Sequence, residues 1–82
     1  MSFPVTIVTP TQKTTHHVEW LDVTVISGNM VLLSCHAPFM GIVRPSSLLH
    51  WKSERGKVES CSLSGGIMEV TRERVTIITD QT

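Results

Sequence analysis

The chain has 82 residues and no net formal charge, because seven basic residues balance seven acidic ones. This length allows one domain, residues 1–82, with a modest core that a permanent partner could complete, so a free-standing enzyme with a deep pocket is disfavoured. Without a block of positive charge, nucleic acid is not a predicted partner. No apolar run approaches the roughly 18 residues of a membrane span, and the N-terminus lacks a secretory signal pattern.

Strand patterns begin at the start of the chain. Apolar residues alternate from residue 3 to residue 7, and Pro4 among them indicates the beginning of a strand or a sheet edge. Alternation over residues 18–26 predicts a half-buried strand with Leu21 on its core face. The apolar run at residues 30–33 is typical of a strand buried on both faces.

The middle of the chain predicts an extended segment followed by a hairpin. Pro38 and Pro45 each push the preceding residue out of the helical region, so the residues between them should be extended. Residues 47–52 and 57–63 then form two strands, and Gly56 in the polar loop between them can take a positive φ.

A pair of glycines, Gly65 and Gly66, stands directly before the next strand pattern. It predicts a bulge or a tight corner with positive φ. Residues 67–71 and 75–79 then form a closing hairpin. The whole pattern predicts an all-β fold, an antiparallel β-sandwich or flattened barrel of about eight to ten short strands.

Candidate catalytic and metal-ligating residues are few. The histidines are His16, His17, His36 and His50. Adjacent His16 and His17 would point to opposite faces of a strand, and no carboxylate or cysteine stands at ligand spacing, so neither a metal nor a cofactor is predicted. Ser64, His36 and Asp80 are the residue types of a hydrolase triad. Because Ser64 does not lie in a G-x-S-x-G elbow, catalysis is not predicted.

The cysteines and tryptophans have ordinary structural interpretations. Cys35 and Cys61 are too few and too far apart for a disulfide framework or a zinc ligand set, so both are predicted to be buried or half-buried thiols. Trp20 and Trp51 fit either a protein interface or the core.

Separated sequence blocks carry a resemblance to one family. Residues 35–45 read CHAPFMGIVRP and residues 63–70 read LSGGIMEV, and residues 18–23 and 75–80 match further strands in the same order. Together they resemble the N-terminal β-sandwich domain of the epsilon subunit of F-type ATP synthases, which is called delta in mitochondria. The resemblance extends over residues 3–80.

This resemblance implies a non-catalytic adaptor of the central stalk, which binds the gamma subunit and the c-ring and couples ion-driven ring rotation to ATP synthesis. The residues expected to face the c-ring are Asn29, His36, Ala37 and Pro38, and those expected to face gamma are Phe39, Met40 and Arg44. The expected location is peripheral, on the cytoplasmic face of a bacterial plasma membrane or its organellar equivalent, with membrane contact only through the complex. His36 could respond to pH at the ring interface, or hydrogen bond to its own loop.

The chain departs from the family pattern at several positions. Cys35 replaces a glycine, Asn29 replaces a glutamate that faces the membrane ring, and Ser46 replaces the glycine of a proline-glycine turn. Family members commonly continue into a two-helix hairpin, whereas this chain stops at Thr82. These residues are therefore expected neither to inhibit ATP hydrolysis by helix insertion nor to bind nucleotide through that hairpin.

The alternative is a small β-barrel of the cupin kind that binds a ligand or a metal. Such a protein needs several inward-facing histidines and a glutamate on neighbouring strands, and the sequence does not supply that pattern.

Overall fold

The computed structural model describes residues 1–34 and 36–80, and the regular elements in these ranges are all β-strands. The strands are β1 (Phe3–Val8), β2 (Lys13–Val25), β3 (Gly28–Leu33), β4 (Phe39–Val43), β5 (Ser47–Ser53), β6 (Val58–Leu63), β7 (Gly66–Val70) and β8 (Val75–Ile78). The predicted all-β class is therefore confirmed. Within the described residues, no helix exists that could cross a membrane.

Strand β2 belongs to both layers of the sandwich. One edge of β2 pairs with β1 and, further along, with β3, while the other edge pairs with β5 and, at Val25, with Val43 of β4. Its pairing with β5 shifts register between Val18 and Trp20, which is a bulge that allows one strand to turn between layers. One layer then runs β1-β8-β7-β4, and the other runs β3-β2-β5-β6.

The first and last strands lie side by side. β1 and β8 pair in parallel from Val5 opposite Val75, whereas the other strand pairs are antiparallel. The amide of Thr79 extends this pairing by donating to the carbonyl of Val8 at 2.9 Å. β1 pairs with β8 only from Val5 onward, so Pro4 lies before the part of the strand that is paired on both edges. Its missing amide hydrogen therefore costs no hydrogen bond to β8.

The core between the layers is apolar and receives side chains from every strand. Its buried members are Phe3, Val5, Ile7, Val18, Leu21, Val23, Val25, Leu32, Val43, Leu49, Trp51, Leu63, Met68, Val70, Val75 and Ile77. The alternating strand patterns predicted this arrangement, including the inward position of Leu21. Burying these side chains is the main favourable contribution to folding of so short a chain.

The tryptophans and the described cysteine take different positions. Trp51 belongs to the core, whereas Trp20 is half-buried on β2. Cys61 is a half-buried free thiol, and its partial burial raises its pKa from the ordinary value of 9.0, so it remains protonated at neutral pH. Cys35 lies outside the described residues.

The prediction that residues 30–33 are buried on both faces is wrong. Within β3, Leu32 is buried but Val31 and Leu33 are exposed. The reason is the two-layer architecture, in which one face of β3 packs against the core and the other faces solvent. A short apolar run therefore does not distinguish a strand covered on both faces from one covered on a single face.

The paired glycines form a tight corner between β6 and β7. Gly65 and Gly66 have φ angles of 112° and 146°, which side-chain-bearing residues rarely adopt. A Cβ atom on Gly66 would overlap the carbonyl oxygen of Ile78 and lie only 3.0 Å from the Cα of Thr79. The hydroxyl of Thr79 donates to the carbonyl of Gly65, so the corner is fixed against the end of β8.

Ser46 also has a positive φ, of 58°. It stands in the turn between β4 and β5, where the resembling family places glycine. The turn is held by a hydrogen bond from the Ser47 hydroxyl to the Arg44 carbonyl at 2.7 Å. The left-handed conformation costs a residue with a side chain roughly 1–2 kcal/mol.

We expect Gly66→Ala to lower the free energy of unfolding by about 3 kcal/mol or more, because it adds steric overlap to an unfavourable φ. Gly28→Ala is the matched control, since Gly28 has a similar φ of 140° but no atom within 4 Å of the added Cβ. Its expected cost is only about 1–2 kcal/mol. Urea unfolding measures both values, and equal losses would contradict the steric explanation. Gly65→Val is also expected to destabilise the fold.

We expect Ser46→Gly to raise the free energy of unfolding by about 0.5 to 1 kcal/mol. The substitution removes the strain of the left-handed conformation in the folded state, and this gain exceeds the loss caused by the greater backbone entropy of glycine in the unfolded state. Ser27→Gly, in an exposed turn without positive φ, should instead lower stability by about 0.5 to 1 kcal/mol. Thermal melting of the two variants distinguishes these opposite signs.

Candidate partner-binding surfaces

The turns gather at two ends of the sandwich. The end that we call the glycine end contains residues 9–12, 26–29, 44–46, 64–66 and 79–80, which the pairing of Val25 with Val43 and Gly28 and of Val43 with Gly66 brings together. The opposite end, which we call the histidine end, contains residues 34, 36–38, 53–57 and 71–74. There the ring of His36 meets Phe3, and the hydroxyl of Ser2 donates to Glu54 at 3.0 Å.

Asn29 lies at the glycine end, on the hairpin between β2 and β3. Its amide nitrogen donates to the Asp22 carboxylate at 2.6 Å, and lies 3.3 Å from both the carbonyl oxygen of Val23 and the hydroxyl of Thr24. An amide can donate to this carboxylate, whereas the glutamate of the family pattern would place a like charge beside it. Asn29 is thus the local complement of Asp22.

His36 lies at the histidine end and packs edge-on against Phe3, with ring centroids 4.8 Å apart and an interplanar angle of 87°. Both ring nitrogens are buried, and neither has a hydrogen-bond partner among the described residues. Ala37 and Pro38, which follow it, are exposed. The imidazole therefore fastens the loop by aromatic packing, and the next two residues form the accessible surface.

The residues predicted to face the c-ring do not form one patch. Asn29 stands at the beginning of β3, and His36, Ala37 and Pro38 follow its end. At a rise of about 3.3 Å per residue, the Cα atoms of Asn29 and Leu33 alone are roughly 13 Å apart. The strand between them separates the predicted set into two surfaces.

The residues predicted to face gamma also divide. Met40 and Arg44 are exposed and alternate with the buried Val43, so they share the outer face of β4 with Ile42. Phe39 belongs to the other face of the strand, where its ring lies over Gly41 and would come within 3.0 Å of a Cβ atom there. Only Met40 and Arg44 of the three face outward together.

A row of exposed isoleucines crosses the same outer face. Ile42 on β4 is opposite Ile67 on β7, and Ile67 is opposite Ile78 on β8. The amide of Ile26, in the β2–β3 turn, donates to the carbonyl of Ile42 at 2.9 Å and adds a fourth member. The exposed fractions of Ile26, Ile42, Ile67 and Ile78 are 62%, 54%, 50% and 55%. We call these four residues the isoleucine row.

The sequence alone does not reveal this row. Each isoleucine of β4, β7 and β8 alternates with a buried neighbour, so each strand looks ordinarily half-buried by itself. The sequence signal is that an isoleucine occupies an outward-facing position in each of the three strands. These positions form one surface only when the strands are aligned in register.

The outer face of the other layer also exposes apolar side chains, namely Val31, Leu33, Leu48 and Val58. Val31 and Leu33 are neighbours on one face of β3, and the half-buried Trp20 lies opposite Leu33, but polar and charged residues separate these side chains from Leu48 and Val58. Asp22 and His50 lie opposite each other in the row that begins at Val31, and Lys52 precedes Val58 in the row that begins at Leu33. The isoleucine row is therefore the more continuous apolar surface of the two.

The residue types of catalytic and metal sites lie apart. Ser64 and Asp80 are at the glycine end, whereas His36 is at the histidine end, so the triad of the sequence analysis is not assembled. His16 packs against Trp51, with ring centroids 4.8 Å apart. Across residues 1–34 and 36–80, no three or more histidine, cysteine, aspartate or glutamate side chains form a group that could hold a metal ion.

A comparison with known protein families shows to which family this chain belongs. The family model of the ATP synthase delta/epsilon chain, β-sandwich domain, matches residues 2–82. The chain belongs to this family. The predicted resemblance to the epsilon subunit is thereby confirmed, and the two-layer architecture is that of the delta/epsilon β-sandwich.

Two solved structures with the same fold come from ATP synthases. A chain of the Euglena gracilis mitochondrial ATP synthase, from a structure of OSCP, F1 and the c-ring, has a TM-score of 0.86 and 22% identity over 95% of this chain. A chain of the Tetrahymena thermophila mitochondrial enzyme, from a structure of the central stalk and c-ring, has a TM-score of 0.78 and 12% identity over 95%. The match spans 50% of the Euglena chain and 63% of the Tetrahymena chain.

We expect Asn29→Asp to lower the free energy of unfolding by about 0.5 to 1.5 kcal/mol, because it replaces the donor to Asp22 with a like charge. The double variant Asp22→Asn/Asn29→Asp exchanges the two groups and restores a hydrogen bond between them. It should therefore regain most of the loss. Chemical denaturation of the single and double variants gives the coupling energy, and strictly additive effects would contradict the pairing.

Proposed function

We propose that this chain is a non-catalytic component of the central stalk of an ATP synthase. In this proposal it binds the gamma subunit through the isoleucine row together with Met40 and Arg44, and contacts the c-ring through the tip of the β2–β3 hairpin around Asn29. A single body held by both neighbours makes the ring and gamma rotate as one unit, and so couples ion-driven rotation to ATP synthesis.

The observation that carries the proposal is the isoleucine row. Four isoleucines at least half exposed stand next to one another across a hairpin tip and three strands. Contiguous exposed apolar surface of this kind is costly in water and usually marks a binding site. Membership of the ATP synthase delta/epsilon family supports an ATP synthase as the assembly, and the resemblance to the epsilon subunit suggests gamma as the partner.

The dimensions of the domain support a permanent assembly with two contacts. Its extents are 29, 24 and 17 Å, so its largest face measures 29 × 24 Å, or about 700 Å². A stable protein interface typically needs roughly 800 Å² from each partner. One neighbour would therefore occupy a whole face, and a second contact would strengthen the first by raising its effective concentration.

The separation of Asn29 from His36 suggests how the two contacts are divided. We assign Asn29, at the hairpin tip, to the c-ring side. The loop with His36, Ala37 and Pro38 leads directly into Met40 on the outer face of β4, so it is better suited to extend the gamma surface. Phe39 would then support this loop from its inner side.

A domain that transmits torque must resist bending between its two contacts, and the strand that the two layers share favours this stiffness. β2 runs through both layers with neighbours on both edges, so force applied to one layer is transferred directly to the other. The proposed location of the chain is peripheral. It would lie on the membrane-embedded ring of the complex, at the cytoplasmic face of a bacterial membrane or its organellar equivalent.

Size-exclusion chromatography with purified gamma subunit tests the proposal. We expect a stable complex at micromolar concentrations, and we expect Ile67→Lys to abolish it, because a charge in the centre of the isoleucine row would be buried without a partner. Leu48→Lys is the matched control, since Leu48 and Ile67 have exposed fractions of 54% and 50% but lie on different layers. This control should bind gamma as the unmodified chain does.

Two outcomes would count against the proposal. The first is the absence of any complex between gamma and the unmodified chain. The second is equal binding by Ile67→Lys and Leu48→Lys, which would exclude the isoleucine row as the contact. Circular dichroism of both variants checks that each retains its strand content.

A further inference from the structure

A recess opens beside the isoleucine row at the glycine end, with a volume of about 310 Å³. Gly65 and Gly66 line it without side chains, and the wall beside them includes Ile67, Ile78 and Pro45. The recess thus exists because the corner between β6 and β7 is made of glycine. Its walls are mainly apolar, and three of its lining residues, Ile42, Ile67 and Ile78, belong to the isoleucine row.

The recess is held open by the backbone around it. The Thr79 hydroxyl donates to the Gly65 carbonyl and lies 3.3 Å from the Ser64 hydroxyl, while the Thr79 amide donates to Val8. These bonds fix the glycine corner to the end of β8. A partner group that enters the recess would therefore meet a preformed cavity, and the entropic cost of ordering the recess on binding would be small.

The size and the rim of the recess define what it could accept. Ligand pockets typically measure about 300–1,000 Å³, so this one is at the lower limit and suits a single large side chain. The exposed carboxylate of Asp80 stands at its edge. A complementary partner surface would present a bulky apolar side chain with a basic residue next to it.

We propose that the recess receives one bulky apolar side chain of the gamma subunit, flanked by a basic residue that faces Asp80. This inference rests on the function proposed above, because the recess is continuous with the isoleucine row through Ile42, Ile67 and Ile78. It adds a specific anchor to that surface. A buried anchor in a preformed pocket is the arrangement in which few residues supply most of the binding energy.

Blocking the recess tests this anchor. Ser64 is exposed at the recess, so Ser64→Trp would place an indole over it, whereas Ser62→Trp adds the same indole to an exposed position of β6 opposite Leu48, on the other layer. We expect Ser64→Trp to weaken gamma binding by about tenfold or more, and Ser62→Trp to change it by less than about twofold. Titration of labelled chain with purified gamma gives both dissociation constants.

Reversing the charge at the rim provides a second test that does not alter the glycine corner. Asp80→Lys should weaken gamma binding by about fivefold or more at low salt, and the loss should shrink as ionic strength rises. Glu73→Lys makes the same charge change at an exposed position of the histidine end and should leave the affinity within about twofold. If Ser64→Trp melts at a lower temperature than Ser62→Trp, the comparison of Asp80→Lys with Glu73→Lys decides the result.

The outcomes separate the two proposals. If the unmodified chain binds gamma but neither Ser64→Trp nor Asp80→Lys differs from its control, the recess proposal is overturned and the proposed function stands. If the unmodified chain forms no complex with gamma, both are overturned. If it forms a homodimer that Ser64→Trp abolishes while gamma binding is unaffected, the occupant is a second copy, and the proposed anchor is again overturned.

Discussion

The sharing of strand β2 by two layers is the constraint on which the remaining structure depends. In a chain of 82 residues, one strand that has partners along both edges serves two layers and reduces the number of strands required. The bulge between Val18 and Trp20 lets β2 face the core in both of its halves. The positions of the β2–β3 hairpin and of β4, and with them the isoleucine row, follow from this arrangement.

Local alternation was sufficient to predict most of the strands and the core. It failed at β3, because four consecutive apolar residues do not reveal whether a second layer will cover both faces of the strand, and here the outer side of Val31 and Leu33 is exposed. The glycine corner was accessible from sequence, since only a backbone with positive φ explains two adjacent glycines before a strand pattern.

The candidate surfaces were less predictable because they depend on register between distant strands. Ile42, Ile67 and Ile78 are far apart along the chain, and they become neighbours only when β4, β7 and β8 are aligned. The converse holds for Asn29 and His36, which are close in sequence but are separated by the length of β3. The family resemblance suggested the proposed partners but could not supply these spatial relations.

The parallel pairing of β1 with β8 has a practical consequence for handling the protein. Because the two strands run in the same direction, the chain enters the domain near Phe3 at one end of the sandwich and reaches Asp80 at the other. A fluorophore or affinity tag joined through Met1 would project away from the isoleucine row. A label attached after Asp80 would sit at the mouth of the recess and compete with whatever docks there.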